Sequence, residues 1–260
     1  VVKNLCEAVN TTPEDANLLT LFVWVASHFL KLDVSKAEGG RHNTVSIYTL
    51  TLSPDQLVLE YRKMLLLLLY QIYQRGDGQA EIEQILYKYG MPHYGVDTGL
   101  DVVRAEFEEV LNFFSLFQPE NLFHCVIAAH IKQVAKHIDY CALDILAPFL
   151  NSEKYRIYSA LASHFAEDYS EGYEKGVQRH KERVCKLVEG YAPQDIDCLI
   201  QVCLESSQTF DKEERKLGAG LGYVFEALQA QQQLYLYLAD AYMRADTPYH
   251  IYAGQILEWL

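Results

Sequence analysis

The chain has 260 residues, half of them apolar and 12% aromatic, and a formal net charge of −13. That apolar content excludes global disorder, and a chain of this length buries a core without disulfide or metal staples. The acidic field repels a phosphate backbone, which argues against nucleic acid as a partner, and the longest apolar run, Met64 to Tyr70, is far too short to span a membrane.

Almost everything reads as helix. The spacing of apolar residues predicts helices over roughly 13–31, 54–75, 79–89, 98–117, 119–138, 141–149, 152–167, 170–189, 193–208, 211–230, 232–245 and 248–260. Proline marks several of the starts, because its missing N–H has no partner in the first helical turn anyway. "TTPED" offers Thr12 as cap and Pro13 as first helical residue, and "LSPDQ" offers Ser53, Pro54 and Gln56 in the form of a capping box. "QPEN", "APQD" and "TPYH" repeat the pattern at 118–121, 192–195 and 247–250. Between the first two helices, 36–46 reads as a polar loop, while 46–52 alternates and is β-branched. One strand alone makes no sheet, so that segment is expected to lie on a helix surface or to pair outside the chain.

The predicted class is all-α. Short turns between helices leave a bundle, a compact helical domain and an α-solenoid open. Starts at Pro13, Pro54 and near Thr98 lie 41 and 44 residues apart, in the range of HEAT-type helix pairs, so an irregular α-solenoid over 1–260 is the leading expectation, with a compact helical domain as the alternative. A weak sub-boundary is expected near 168–170. The helix at 54–75 is apolar nearly all round in its second half, which requires neighbours on both sides. The chain starts at Val and stops inside the pattern "YHIYAGQILEWL", so an internal fragment of a larger protein is expected. The six cysteines are scattered without any C-x-x-C pair and read as free thiols of a cytoplasmic protein.

The stretch "HCVIAAHIKQVAKHIDYC", 124–141, holds three of the nine histidines. On a helix, Phe123, Ile127, Ile131, Val134 and Ile138 form one apolar stripe, with Lys132, Lys136 and Asp139 opposite. His130 and His137 fall on its border, about 10 Å apart along the axis, too far to share a metal ion. They read as border residues of a packed helix and as candidate partner contacts, beside Tyr235 and Tyr242 in the tyrosine-rich stretch after 231. "HFAED" (His164, Glu167, Asp168) reads mainly as a solvated helix end. "GAGLG" (Gly218, Gly220, Gly222) lacks the strand that a dinucleotide loop needs and reads as a close approach of helices or a break. The basic stretch at 175–186 reads as a solvated helix face. No nucleotide-binding, hydrolase or zinc motif occurs, so no catalytic, metal or cofactor site is expected.

The segment "YTLTLSPDQLVLEYRKMLLLLLYQIYQRGDGQAEIEQILYKYG", 48–90, resembles the helical region that follows the ATPase core in bacterial STAND NTPases. There a "TLSP"-like lead enters a helix with an Arg and a run of Leu, and an "IY" precedes a second helix ending in "IL–Y". The continuation over 110–161 is compatible with the same region. The resemblance implies a superhelical sensor or linker array that recognises a foreign, often phage-derived, protein and licenses oligomerisation; no catalytic residue carries over. The expected function is therefore a non-enzymatic protein-binding scaffold, whose partner is another protein or another domain of the same parent chain. The rivals are an all-α enzyme or small-ligand domain using His130, His137 or His164, and an oligomerisation module.

Overall fold

The computed structural model describes residues 1–31, 34–39, 45–50, 55–90, 100–162, 171–209 and 217–245, and every structural statement below concerns these. They are overwhelmingly helical, as predicted, with one β-hairpin. They form two compact units, one of residues 1–118 and 126–149, the other of 119–125 and 150–260. The sub-boundary expected near 168–170, the "HFAED" residues and the helix expected at 248–260 lie outside the described residues.

The first unit begins with a helix outside the expected set, α1 (Val2–Thr11), whose Val2, Leu5, Cys6 and Val9 do have helical spacing and which buries Cys6 and Val9. It lacks a side-chain cap, so its start carries no local signal. Thr12 ends α1 instead of starting the next helix: its hydroxyl donates back to the Ala8 carbonyl at 2.9 Å. α2 (Ala16–Phe29) is capped by Asp15, whose carboxylate accepts the amides of Asn17 and Leu18 at 3.0 and 3.1 Å. A charged acceptor at the positive end of the helix outcompetes a hydroxyl three residues earlier.

The extended segment finds its partner inside the chain. β1 (Val34–Gly39) and β2 (Val45–Leu50) pair antiparallel, with Val34 opposite Leu50 and Gly39 opposite Val45. The polar sequence of β1 hides this pairing, because ladder hydrogen bonds are made by the backbone whatever the side chains.

α3 (Gln56–Gln74) starts at Asp55, whose carboxylate accepts the Leu57 amide at 2.8 Å, rather than at Ser53. It packs against α1, α2, α4 (Gln79–Gly90) and α5 (Leu100–Asn112), the central position that its all-round apolar half requires. Leu57 in its first turn is 52% exposed. α5 gives way to a 3-10 turn over Phe113–Ser115. α6 (Leu122–His137) follows, capped by Asn121, whose side-chain oxygen accepts the Phe123 amide at 2.8 Å; α7 (Ala147–Leu150) is a single turn.

In the second unit α8 (Glu153–Leu161) touches α9 (Tyr173–Val188), α10 (Pro193–Thr209) and α11 (Leu217–Leu228). α12 (Gln232–Arg244) packs on α10 and α11. Pro193 is the first residue of its helix, as predicted. Gly220 is a close approach: a Cβ there would overlap the backbone of Leu161 at the end of α8, whereas Gly218 and Gly222 face open space.

Three helix ends share one solution for their orphaned carbonyls. Arg62 of α3 donates to the carbonyls of Phe29, Leu30 and Lys31 beyond α2. Arg104 of α5 donates to Ile138 beyond α6, and Arg183 of α9 donates to Ala160 and Ala162 at the end of α8. A guanidinium suits the task because its forked N–H groups match several carbonyls while its charge meets the negative end of the helix.

Candidate functional site

The histidine-rich helix behaves as its periodicity predicts. Phe123, Ile127, Ile131 and Ile138 are buried, Val134 is half-buried, and Lys132, Lys136 and Asp139 are exposed. His130 is half-buried, its ring 4.9 Å from that of Tyr87 and its Nδ1 3.5 Å from the Tyr87 carbonyl oxygen. His137 is exposed in the last turn of α6, where a cation suits the helix end. Cys141 lies beyond the helix and is exposed rather than in the apolar stripe. Tyr235 and Tyr242 are core residues, 2% and 8% exposed, each packed edge-on against Phe225. Of the four residues singled out as candidate contacts, His130 and His137 reach the surface of their unit, whereas Tyr235 and Tyr242 are buried in theirs. No group of three or more His, Cys, Asp or Glu side chains is arranged to hold a metal ion among the described residues.

The described surface instead offers a cleft of about 420 Å³ between α2 and α4. One wall is a stripe of α2 that includes Leu19, Val23, Trp24 and Ser27 and continues to Leu30 and Lys31. The other is a stripe of α4 comprising Glu81, Gln84, Ile85, Lys88 and Tyr89, with Gly78 at its start. Spacings of three, four and seven residues place each set on one helix face. The two helices run side by side in the same direction. Val23 stands over Gly78 at one end, and at the other Arg62 bridges the end of α2 to Glu106, on which the Tyr89 hydroxyl also lies.

Most of the lining surface is apolar, with Lys31, Glu81, Gln84 and Lys88 among its polar exceptions. The hydroxyls of Thr20 and Ser27 donate to carbonyls one turn back in their own helix, at 2.8 and 2.7 Å, and so offer no donor to a ligand. Trp24 is 59% exposed and stacks on His28 at 4.5 Å; Leu21 beside it is 50% exposed. Two exposed lysines, Lys31 and Lys88, stand at the same end of the cleft, and neither is in an ion pair among the described residues. Ser27 stands beside a base, its hydroxyl 3.0 Å from Nδ1 of His28, and both groups also meet the Trp24 carbonyl.

A buried network joins two of the cleft's lining residues, Leu30 and Tyr89. Arg62 donates from Nε and Nη2 to the two oxygens of Glu106 at 2.7 and 2.6 Å, and the Tyr89 hydroxyl donates to the same carboxylate at 2.8 Å. With the three carbonyls beyond α2, every guanidinium N–H has an acceptor. Burial, and after it the charge of Glu106, push the Tyr89 hydroxyl well above its ordinary range, so it remains a donor.

Sequence reasoning passed over this site. The signal was present in α2, whose run Leu21–Ala26 carries more apolar residues than one buried face accepts, and the surplus emerges as Leu21 and Trp24. No family model, no curated protein and no solved structure matches the chain.

Proposed function

We propose that the chain is a non-enzymatic helical scaffold that binds another protein, as a sensor segment of a larger cytoplasmic protein, with the cleft between α2 and α4 as its docking surface. The observation that carries this reading is Trp24, an indole 59% exposed on the rim of an apolar cleft. Apolar surface of that kind is stabilised when a partner covers it, and tryptophan dominates interface energetics.

The architecture that goes with this reading is an irregular α-solenoid within each unit. In its favour, helices pack on the next but one as well as the next: α1 on α3, α2 on α4 and α3 on α5, then α8 on α10, α9 on α11 and α10 on α12. Stacked helix pairs have that neighbour relation. The contact of α8 with α11 departs from it and makes the stacking irregular. The resemblance of 48–90 to the STAND superhelical region makes recognition of a foreign protein in antiviral defence the specific form of the proposal. Both α3 and α4, one wall of the cleft, fall in that stretch.

The test is affinity purification of the tagged chain from host extract, with Trp24→Ala and, as a control, Met243→Ala, an exposed residue of α12. A partner kept by the wild type and the control, lost by Trp24→Ala and reconstituted with purified components supports the reading. Turnover of a substrate by the isolated chain, or a partner indifferent to Trp24→Ala, overturns it. A mass that doubles with concentration only when Trp24 is intact assigns the cleft to self-association instead.

A further inference from the structure

Resting on that reading, we infer that the occupant of the cleft is an amphipathic α-helix with acidic residues in its first turn, laid antiparallel to α2 and α4. Three observations lead there. The cleft follows α2 from Leu19 to Lys31, a span of about 18 Å at the helical rise, the length of a three-turn helix. Its walls are two helices whose backbone groups are bonded internally, so an extended peptide finds no sheet edge to join. Ridges of a third helix, with apolar residues at i, i+3 or i+4 and i+7, fit the valley between them.

Charge then sets the direction. Lys31 and Lys88 mark the ends where α2 and α4 terminate, and both ammonium groups are exposed. Glu81 occupies the opposite end, in the first turn of α4. In a chain of net charge −13, two cations without ion pairs among the described residues at one end of an apolar cleft are complementary to carboxylates. Carboxylates favour the first turn of a helix, where they meet its positive end. An occupant that places them at Lys31 and Lys88 therefore starts there and runs toward Glu81, against the direction of α2 and α4. The carbonyls beyond α2 are already satisfied by Arg62, so the two lysines remain as the charges that read the partner.

The experiment pans a library of displayed 14-residue helix-biased peptides against the full 260-residue chain, with counterselection on Trp24→Ala. The expected winners carry Asp or Glu in the first turn and apolar residues at helical spacing. They are expected to bind Lys31→Glu/Lys88→Glu at least tenfold more weakly, and panning on that double variant should select Lys or Arg in the first turn instead. Winners that depend on Trp24 but show no acidic first turn, or that are extended and proline-rich, overturn the inference and leave the cleft as a docking site. Winners indifferent to Trp24, or no enrichment over that variant, overturn both. Circular dichroism of each variant confirms that the exposed substitutions leave the fold intact.

Discussion

Arg62 and Glu106, 44 residues apart in sequence, form a fully buried two-point ion pair, 0% and 1% exposed, hydrogen-bonded to Leu30 and Tyr89 of the α2–α4 cleft. The guanidinium also closes the end of α2, so one side chain joins α2, α3 and α5, and Tyr89 adds α4. Burying two charges costs solvation that their attraction only partly offsets, and removing one partner leaves the other stranded. Glu106→Leu or Arg62→Met is therefore expected to cost about 3–5 kcal/mol, a large share of a typical domain's stability. Urea unfolding checks this. The double variant Arg62→Met/Glu106→Leu should be much less destabilised than the sum of the two single changes, and additivity within about 0.5 kcal/mol would sink the account.

Gly220 offers a contrast within one helix. Alanine there drives a methyl into the backbone of Leu161, and an expected loss of about 1–3 kcal/mol or more follows from overpacking against atoms that cannot move away. Gly218→Ala and Gly222→Ala meet open space in the same helix and should stabilise by about 0.5–1 kcal/mol through helix propensity. Thermal melts of the three variants read the difference directly. A neutral Gly220→Ala refutes the close approach.

Asp139 is the one non-glycine residue with positive φ, +53°, among the described residues. It follows the last residues of α6, where the Tyr140 amide reaches back to the Ala135 carbonyl at 2.9 Å, the closing bond of a Schellman turn. The left-handed conformation disfavours any Cβ. Asp139→Gly is expected to raise stability by about 0.5–1 kcal/mol, and Asp139→Val to lower it; equal melting temperatures for the two would contradict this.

Cys203 sits fully buried, and burial pushes its thiol up to about 12. In the unfolded chain a thiol ionises near pH 8.5. The folded state then binds the proton more tightly than the unfolded state. Its contribution is fully present below about pH 8.5 and falls as pH rises toward the folded value, at about 1.4 kcal/mol per unit. Unfolding by urea between pH 7 and 10.5 should show that decline, and Cys203→Ala should flatten it. Buried tyrosines such as Tyr89, likewise raised, steepen the decline above pH 10 in both proteins.

Thiol accessibility gives an independent check on the packing. Cys141 and Cys185 are exposed, while Cys6, Cys125 and Cys203 are buried. Two thiols are expected to react rapidly with a disulfide reagent in native buffer, and the buried three only in denaturant. Fast reaction of Cys203 in the native state would show that the α10 core is not packed as described.

Local pattern determined what local physics controls. The apolar stripe of 122–138 predicts which residues of α6 are buried, because a 3.6-residue repeat converts directly into a face. The all-round apolar half of 54–75 predicts a central helix, because such a surface must be covered whatever covers it. Helix starts were legible only approximately, since Thr12 and Asp15 are both good caps and the preceding α1 decides which is free to act. The ladder of β1 with β2 is a backbone property that the polar side chains of 34–39 do not announce.

The surplus apolar residues of α2 hint at an exposed surface, but which elements build the cleft and the buried network beside it was decided by tertiary structure. Arg62 reads as one more charged residue on an amphipathic half-helix, and nothing in its neighbourhood names Glu106 or the carbonyls of residues 29–31 as its partners. Trp24 is exposed because α2 carries more apolar surface than its neighbours cover. Periodicity tells a residue which way it faces along its own helix. What stands opposite is decided by how distant segments meet, and the placement of charge, cleft and exposed indole follows from that meeting.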